Sequence, residues 1–104
     1  MYVDISITED DFRLIMGNPF KPRYAAALKD VFCPVCRQKE DNAVRPTKFW
    51  LNPAGDVLVE GACANCGADL EKLLETGIDP RQYDQAMAIR EYKLEIGKDY
   101  AIRK

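Results

Sequence analysis

Cys33-Pro34-Val35-Cys36 and Cys63-Ala64-Asn65-Cys66-Gly67 decide how this chain is read, because they hold all four of its cysteines in two C-x2-C pairs. The chain has no histidine. Its soft donors are therefore four thiolates, enough to close a tetrahedron around one Zn2+ ion. The 26 residues from Arg37 to Ala62 separate the pairs, and they contain a hairpin that lets the second pair fold back on the first. Both sulfurs of a C-x2-C pair reach one ion when the backbone between them turns tightly, and its amides then point at the thiolates. Pro34 suits the start of such a turn, and Gly67 permits the positive φ that closes one. Arg37 holds the matching place after Cys36, so the two turns need not be identical. With Cys33, Cys36, Cys63 and Cys66 all bound, no position remains for water, and the zinc is structural rather than catalytic.

Outward from the cysteines, Lys48-Phe49-Trp50-Leu51 and Val57-Leu58-Val59-Glu60 read as two strands around Asn52-Pro53-Ala54-Gly55, a type I turn by composition. The second strand delivers Gly61-Ala62 into Cys63, and the polar stretch Arg37–Arg45 reads as a loop. Upstream, Val3, Ile5 and Ile7 alternate with polar neighbours as a half-buried strand. Thr8 caps a short helix with Asp11 at its third position, Phe12, Ile15 and Met16 on its apolar face, and Gly17 at its end. Pro22 opens a second helix over Arg23–Asp30. Downstream, Asp69 caps a predicted helix with Leu70, Leu73 and Leu74 on one face, stopped by Gly77. Asp79-Pro80-Arg81-Gln82 opens a last helix that runs to about Ile96, with Gly97 at its end. On that helix Tyr83, Met87 and Leu94 share one side, Ala86, Ile89 and Ile96 the next, and Glu91, Glu95, Arg90 and Lys93 read as solvated.

Residues 33 to 67 resemble the zinc-ribbon proteins, in which two cysteine turns clamp one zinc beneath a β-hairpin. The resemblance implies Cys33, Cys36, Cys63 and Cys66 as ligands, and partners that are DNA, RNA or other proteins. Two departures stand out. Ribbons often continue from the second turn into a third strand, whereas Asp69–Thr76 reads as helix. Transcript-cleavage ribbons carry adjacent acids at the hairpin tip, where this chain has Asp56 alone. The combined prediction is one α+β domain over residues 1–104. It has a small zinc-ribbon β-hairpin core at 33–67, an N-terminal strand and helices at 1–32, a C-terminal helical segment at 68–97 and a loose tail at 98–104.

Composition limits function less tightly. Apolar residues make up 47% and charged residues 31%, ordinary for a globular chain. Structural zinc, at about 10–16 kcal/mol of binding free energy, matches the whole stability of such a domain, so metal removal is expected to unfold at least its central third. The opening Met1-Tyr2-Val3-Asp4-Ile5 lacks the basic lead of a signal peptide, and no apolar run nears the ~20 residues of a membrane span. A reducing cytoplasm is the expectation, and there paired cysteines serve as metal ligands. The alternative is a thiol–disulfide redox centre at Cys33 and Cys36, which requires Cys33 at a helix N-terminus. Without histidine there is no Ser-His or Cys-His nucleophile, and there is no glycine-rich phosphate loop, so no enzyme is expected.

Charge is uneven, +4 over residues 21–48 and −3 on either side, for a net −2. Arg37, Lys39, Arg45 and Lys48, interleaved with Phe49 and Trp50, form a candidate contact for nucleic acid or another partner. Neighbours on a strand face opposite sides, so Phe49 and Trp50 are both buried only if the N-terminal strand or the last helix covers one of them. The overall acidic balance weighs against nucleic acid and leaves a protein partner or self-association through Tyr83, Met87 and Leu94.

Overall fold

Val57, Val59, Gly61 and Cys63 point to one face of a strand and Leu58, Glu60 and Ala62 to the other, and this alternation carries Cys63 into the interior. The strand is β3, Val57–Cys63, in a computed structural model that describes residues 3–17, 20–29, 31–37, 42–97 and 100–103. It forms an antiparallel hairpin with β2, Val44–Leu51. The turn between them is the predicted one. The Gly55 amide donates to the Asn52 carbonyl at 3.1 Å, Gly55 has φ +86°, and Asn52 Oδ1 accepts from the amides of Ala54 and Asp56 at 2.9 Å each.

The register slips between Pro46 and Lys48, leaving Thr47 as an extra residue in β2. One extra residue inverts the alternation. Val44 therefore lies opposite Cys63 on the same face as Phe49 and Leu51, and is buried with them.

β1, Asp4–Ile7, pairs with β2 and brings Ile5 and Ile7 to that inner face. α1, Glu9–Met16, follows at once, fixed by a capping box in which the Asp11 amide donates to Thr8 Oγ1 and the Thr8 amide to Asp11 Oδ2. Its Phe12 stacks on Phe49 with ring centroids 5.0 Å apart. α2 spans Phe20–Leu28 and α3 spans Pro80–Ile96; α3 is capped by Asp79 and closed by Gly97 in the left-handed region. Ala86 and Ile89 of α3 complete the core. Among the described residues no helix is long and apolar enough to cross a membrane.

Several expectations are corrected. Asp69–Leu74 is a strand, β4, not a helix, and pairs with β3 from Val57 to Ala62. The leucine spacing suits a helix, but a helix would leave the β3 backbone without a partner on that side, and a strand still turns Leu70 and Leu74 inward. A short 3-10 turn, Thr76–Ile78, then leads to α3. The tail is not wholly loose either. Ile102–Arg103 forms β5 against β1, completing a five-stranded antiparallel sheet in the order β4-β3-β2-β1-β5. α2 begins at Phe20, before Pro22, and Asp30 lies outside the described residues. β2 begins at Val44, so the polar loop is shorter than predicted.

Nor are Arg90 and Lys93 of α3 solvated. Arg90 is 5% exposed, donating from Nη1 to the Leu51 carbonyl at 3.0 Å and from Nη2 to the Val3 carbonyl at 2.5 Å. Burial lowers its pKa, with Asp4 pulling the other way, yet a guanidinium stays charged at neutral pH. Lys93 Nζ pairs with Asp11 Oδ2 at 3.2 Å, tying α3 to α1.

Candidate metal centre

Two loops meet at the end of the hairpin opposite its turn. In the first, the Arg37 amide donates to the Cys33 carbonyl at 2.7 Å; in the second, the Gly67 amide donates to the Cys63 carbonyl at 2.9 Å. Arg37 has φ +52° and Gly67 φ +78°. The two turns are thus alike, and Arg37 takes the left-handed conformation that glycine takes in the second. The Ala64 amide continues the β2–β3 pairing to the Ala43 carbonyl at 2.9 Å, which seats the second loop against the start of β2.

This folding brings the four sulfurs together. Cys33 Sγ lies 3.4 Å from Cys66 Sγ and Cys36 Sγ 3.9 Å from Cys63 Sγ, and all four are within 4.8 Å of one another. Tetrahedral zinc with Zn–S bonds of about 2.3 Å sets sulfurs roughly 3.8 Å apart, so the observed spacings bracket a metal-filled cluster. Cys33 and Cys63 are buried in the core, Cys36 is half-buried and Cys66 exposed. The cluster could hold a metal ion.

Its electrostatics favour the thiolate at Cys33 and Cys63. The Cys36 amide, followed by that of Val35, lowers the Cys33 pKa against the opposing effect of burial. Burial pushes Cys63 up, but the amides of Cys66 and Asn65 and the neighbouring thiols outweigh it and bring the group from 9.0 to about 6. At Cys66 the Ala68 amide pulls downward and is outweighed by Cys33, burial and Cys63, so this thiol keeps its proton above its ordinary range. Amide hydrogens aimed at sulfur are what a thiolate metal site needs.

The other sequence-predicted residues differ in exposure. Phe49 and Trp50 are both buried, on opposite faces of β2, so neither offers a ring for base stacking. Trp50 lies between Ser6 of β1 and Leu58 of β3, with Lys48 Nζ 5.5 Å from its ring. On the same outer face Arg103 binds Glu60 at 3.0 Å and Glu71 at 2.7 Å, bridging two carboxylates that oppose each other across β3 and β4 and offsetting their repulsion. Arg37, Arg45 and Lys48 are exposed, and Lys39 lies outside the described residues. Met87 and Leu94 pack against the core rather than outward, and Tyr83 borders Gly55 at the hairpin turn. Tyr83 is exposed, and other large exposed apolar side chains include Phe32 and Val35 beside the first cysteine turn, Leu14 and Tyr92 along the groove between α1 and α3, and Leu73 and Ile78.

Asn42 was not singled out from the sequence, where it is one polar residue in a polar loop. It is 2% exposed and touches the second cysteine loop and the segment leading into the first. No family model, curated protein or solved structure matches the chain. Fold and site define an α+β protein with a four-cysteine cluster able to hold a metal ion.

Proposed function

We propose that the chain is a zinc-stabilised binding module whose metal is structural. The observation that carries this is the convergence of four sulfurs, from segments 27 and 33 residues apart, to within 4.8 Å. Four soft thiolates in a tetrahedron suit zinc, a geometry shared with iron–sulfur sites, and saturation by sulfur leaves no open position for chemistry. A third strand after the second cysteine turn strengthens the likeness to zinc ribbons. The redox alternative is disfavoured because residues 34–37 form a turn, with Arg37 at positive φ, rather than the first turn of a helix.

The partner we favour is a protein. Burial of Phe49 and Trp50 removes the stacking platform, leaving Arg37, Arg45 and Lys48 on an acidic chain as the only part of the nucleic-acid reading that the described residues support. Phe32 and Val35, exposed beside the metal, would be held in place by it.

Metal analysis with native mass spectrometry tests the zinc assignment, with one zinc per chain expected. Chelation should strip amide-exchange protection from residues 43–45 and 61–70 while Leu51, Val57 and Val59, fully buried in the core, exchange slowly. A metal-free protein cycling through a reversible Cys33–Cys36 disulfide would replace this reading with the redox one. Salt-sensitive retention on nucleic acid, lost in Arg45→Ala/Lys48→Ala, would replace the protein partner with nucleic acid.

A further inference from the structure

We infer that Asn42 is a positioning residue for the metal centre, a non-ligand side chain that locks the two cysteine loops to each other. The inference rests on the metal reading above. Asn42 Nδ2 donates to the Val31 carbonyl at 2.8 Å, two residues before Cys33. Its Oδ1 accepts from the Ala43 amide at 2.9 Å, from Asn65 Nδ2 at 3.2 Å and from the Cys63 thiol at 3.2 Å. One amide group thus holds the approach to the first loop, the middle of the second, and the start of β2.

The orientation of this amide is set by backbone. The Val31 carbonyl only accepts and the Ala43 N–H only donates, so turning the side chain over would face like against like at both. Oδ1 is therefore held toward the second loop whatever the state of the sulfur. When Cys63 gives up its proton to bind metal, its contact with Oδ1 becomes repulsive, while Ala43 and Asn65 still supply two donors and keep the buried oxygen satisfied. The anchoring survives metal binding, and outer-shell anchors of this kind govern how long a metal stays bound.

The test compares metal transfer from the zinc-loaded full chain to a chromophoric chelator, together with the absorption spectrum of the Co2+-substituted protein. Wild-type zinc content is measured first, and a chain that binds no metal overturns both the metal reading and this inference. With metal bound, Asn42→Ala should speed transfer about 10–100-fold and shift the thiolate-to-cobalt bands. Asn65→Ala, at an exposed residue that removes one donor without touching the core, should speed transfer about two- to tenfold and keeps the test available if Asn42→Ala does not fold. Thr76→Val is the control. It deletes the buried bond from Thr76 Oγ1 to the Gly55 carbonyl, 2.6 Å long, at the far end of the hairpin. It should lower stability with transfer rate and cobalt spectrum unchanged. Transfer equally fast in Thr76→Val and the asparagine variants, or unchanged in Asn65→Ala with an unshifted spectrum, would overturn the inference.

Discussion

Gly61→Ala tests whether close approach of β2 and β3 sets the position of the metal ligands. Gly61 lies opposite Pro46 at the bulge, two residues before Cys63. A Cβ there would stand 2.0 Å from the Arg45 carbonyl oxygen, 2.7 Å from the Arg45 carbonyl carbon and 2.9 Å from Val44 Cγ2. Two of these atoms are backbone, so the strands must part by roughly an ångström, since C···O contacts need more than ~3 Å. Parting them loosens the pairs Val44–Cys63 and Arg45–Ala62 on one side and Gly61–Leu70 on the other. Two or three interstrand hydrogen bonds at about 1 kcal/mol each, with partial exposure of Val44 at about 1 kcal/mol, give a loss of about 3–4 kcal/mol. With a urea m-value of about 1.5 kcal/mol/M, the midpoint falls by roughly 2 M, and Cys63, carried on the displaced strand, should release metal faster. Gly67→Ala is the matched comparison. Nothing lies within 4 Å of its added Cβ, and only φ +78° opposes it, a cost of about 1–2 kcal/mol. Urea titration of both zinc-loaded variants decides the matter. A Gly61→Ala protein as stable as Gly67→Ala would refute the close-approach argument.

Arg37 is the one non-glycine at positive φ among the described residues. Arg37→Gly should therefore raise the thermal midpoint, by a free energy of about 0.5–1 kcal/mol once the added freedom of the unfolded chain is subtracted; a lower midpoint would mean that the arginine side chain does more than occupy the turn. The cysteine pKa values set a pH dependence for the metal-free, reduced protein. Cys63 falls from 9.0 to about 6 on folding and Cys33 is lowered as well. Between about pH 6 and 9 the unfolded thiols hold protons that the folded ones have lost, so stability rises with pH across that window and is lost again as pH falls to 6. The raised Cys66 opposes this only above 9.0. Urea midpoints at pH 6, 7.5 and 9 should climb in the wild type and flatten in Cys63→Ser; a level wild-type profile would contradict the thiolate assignment.

Much of this was legible from residue order because its causes are local. C-x2-C spacing, the Asn52-Pro53-Ala54-Gly55 turn and the caps at Thr8 and Asp79 each depend on residues within four positions of one another, and each stands in the structure as read. Asp69–Leu74 reads as helix in the sequence because Leu70, Leu73 and Leu74 satisfy a helical stripe, and only the open flank of β3 makes the extended form the better one. Ile102 and Arg103 have too little pattern to announce a strand until β1 presents its edge.

From order alone came the donor set, the class of fold and the hairpin that joins the two halves of the site. Tertiary structure decided what each side chain faces. The β2 bulge turns Val44 toward Cys63, Phe49 is buried against Phe12 of α1 and Trp50 among its strand neighbours, Arg90 is drawn in to two strand-end carbonyls, and Asn42 is placed beside the cysteine loops. Local patterns are set by the backbone geometry of a few consecutive residues. Burial and polar pairing depend on which distant segment arrives opposite, and in this chain that is decided by the order and register of a five-stranded sheet.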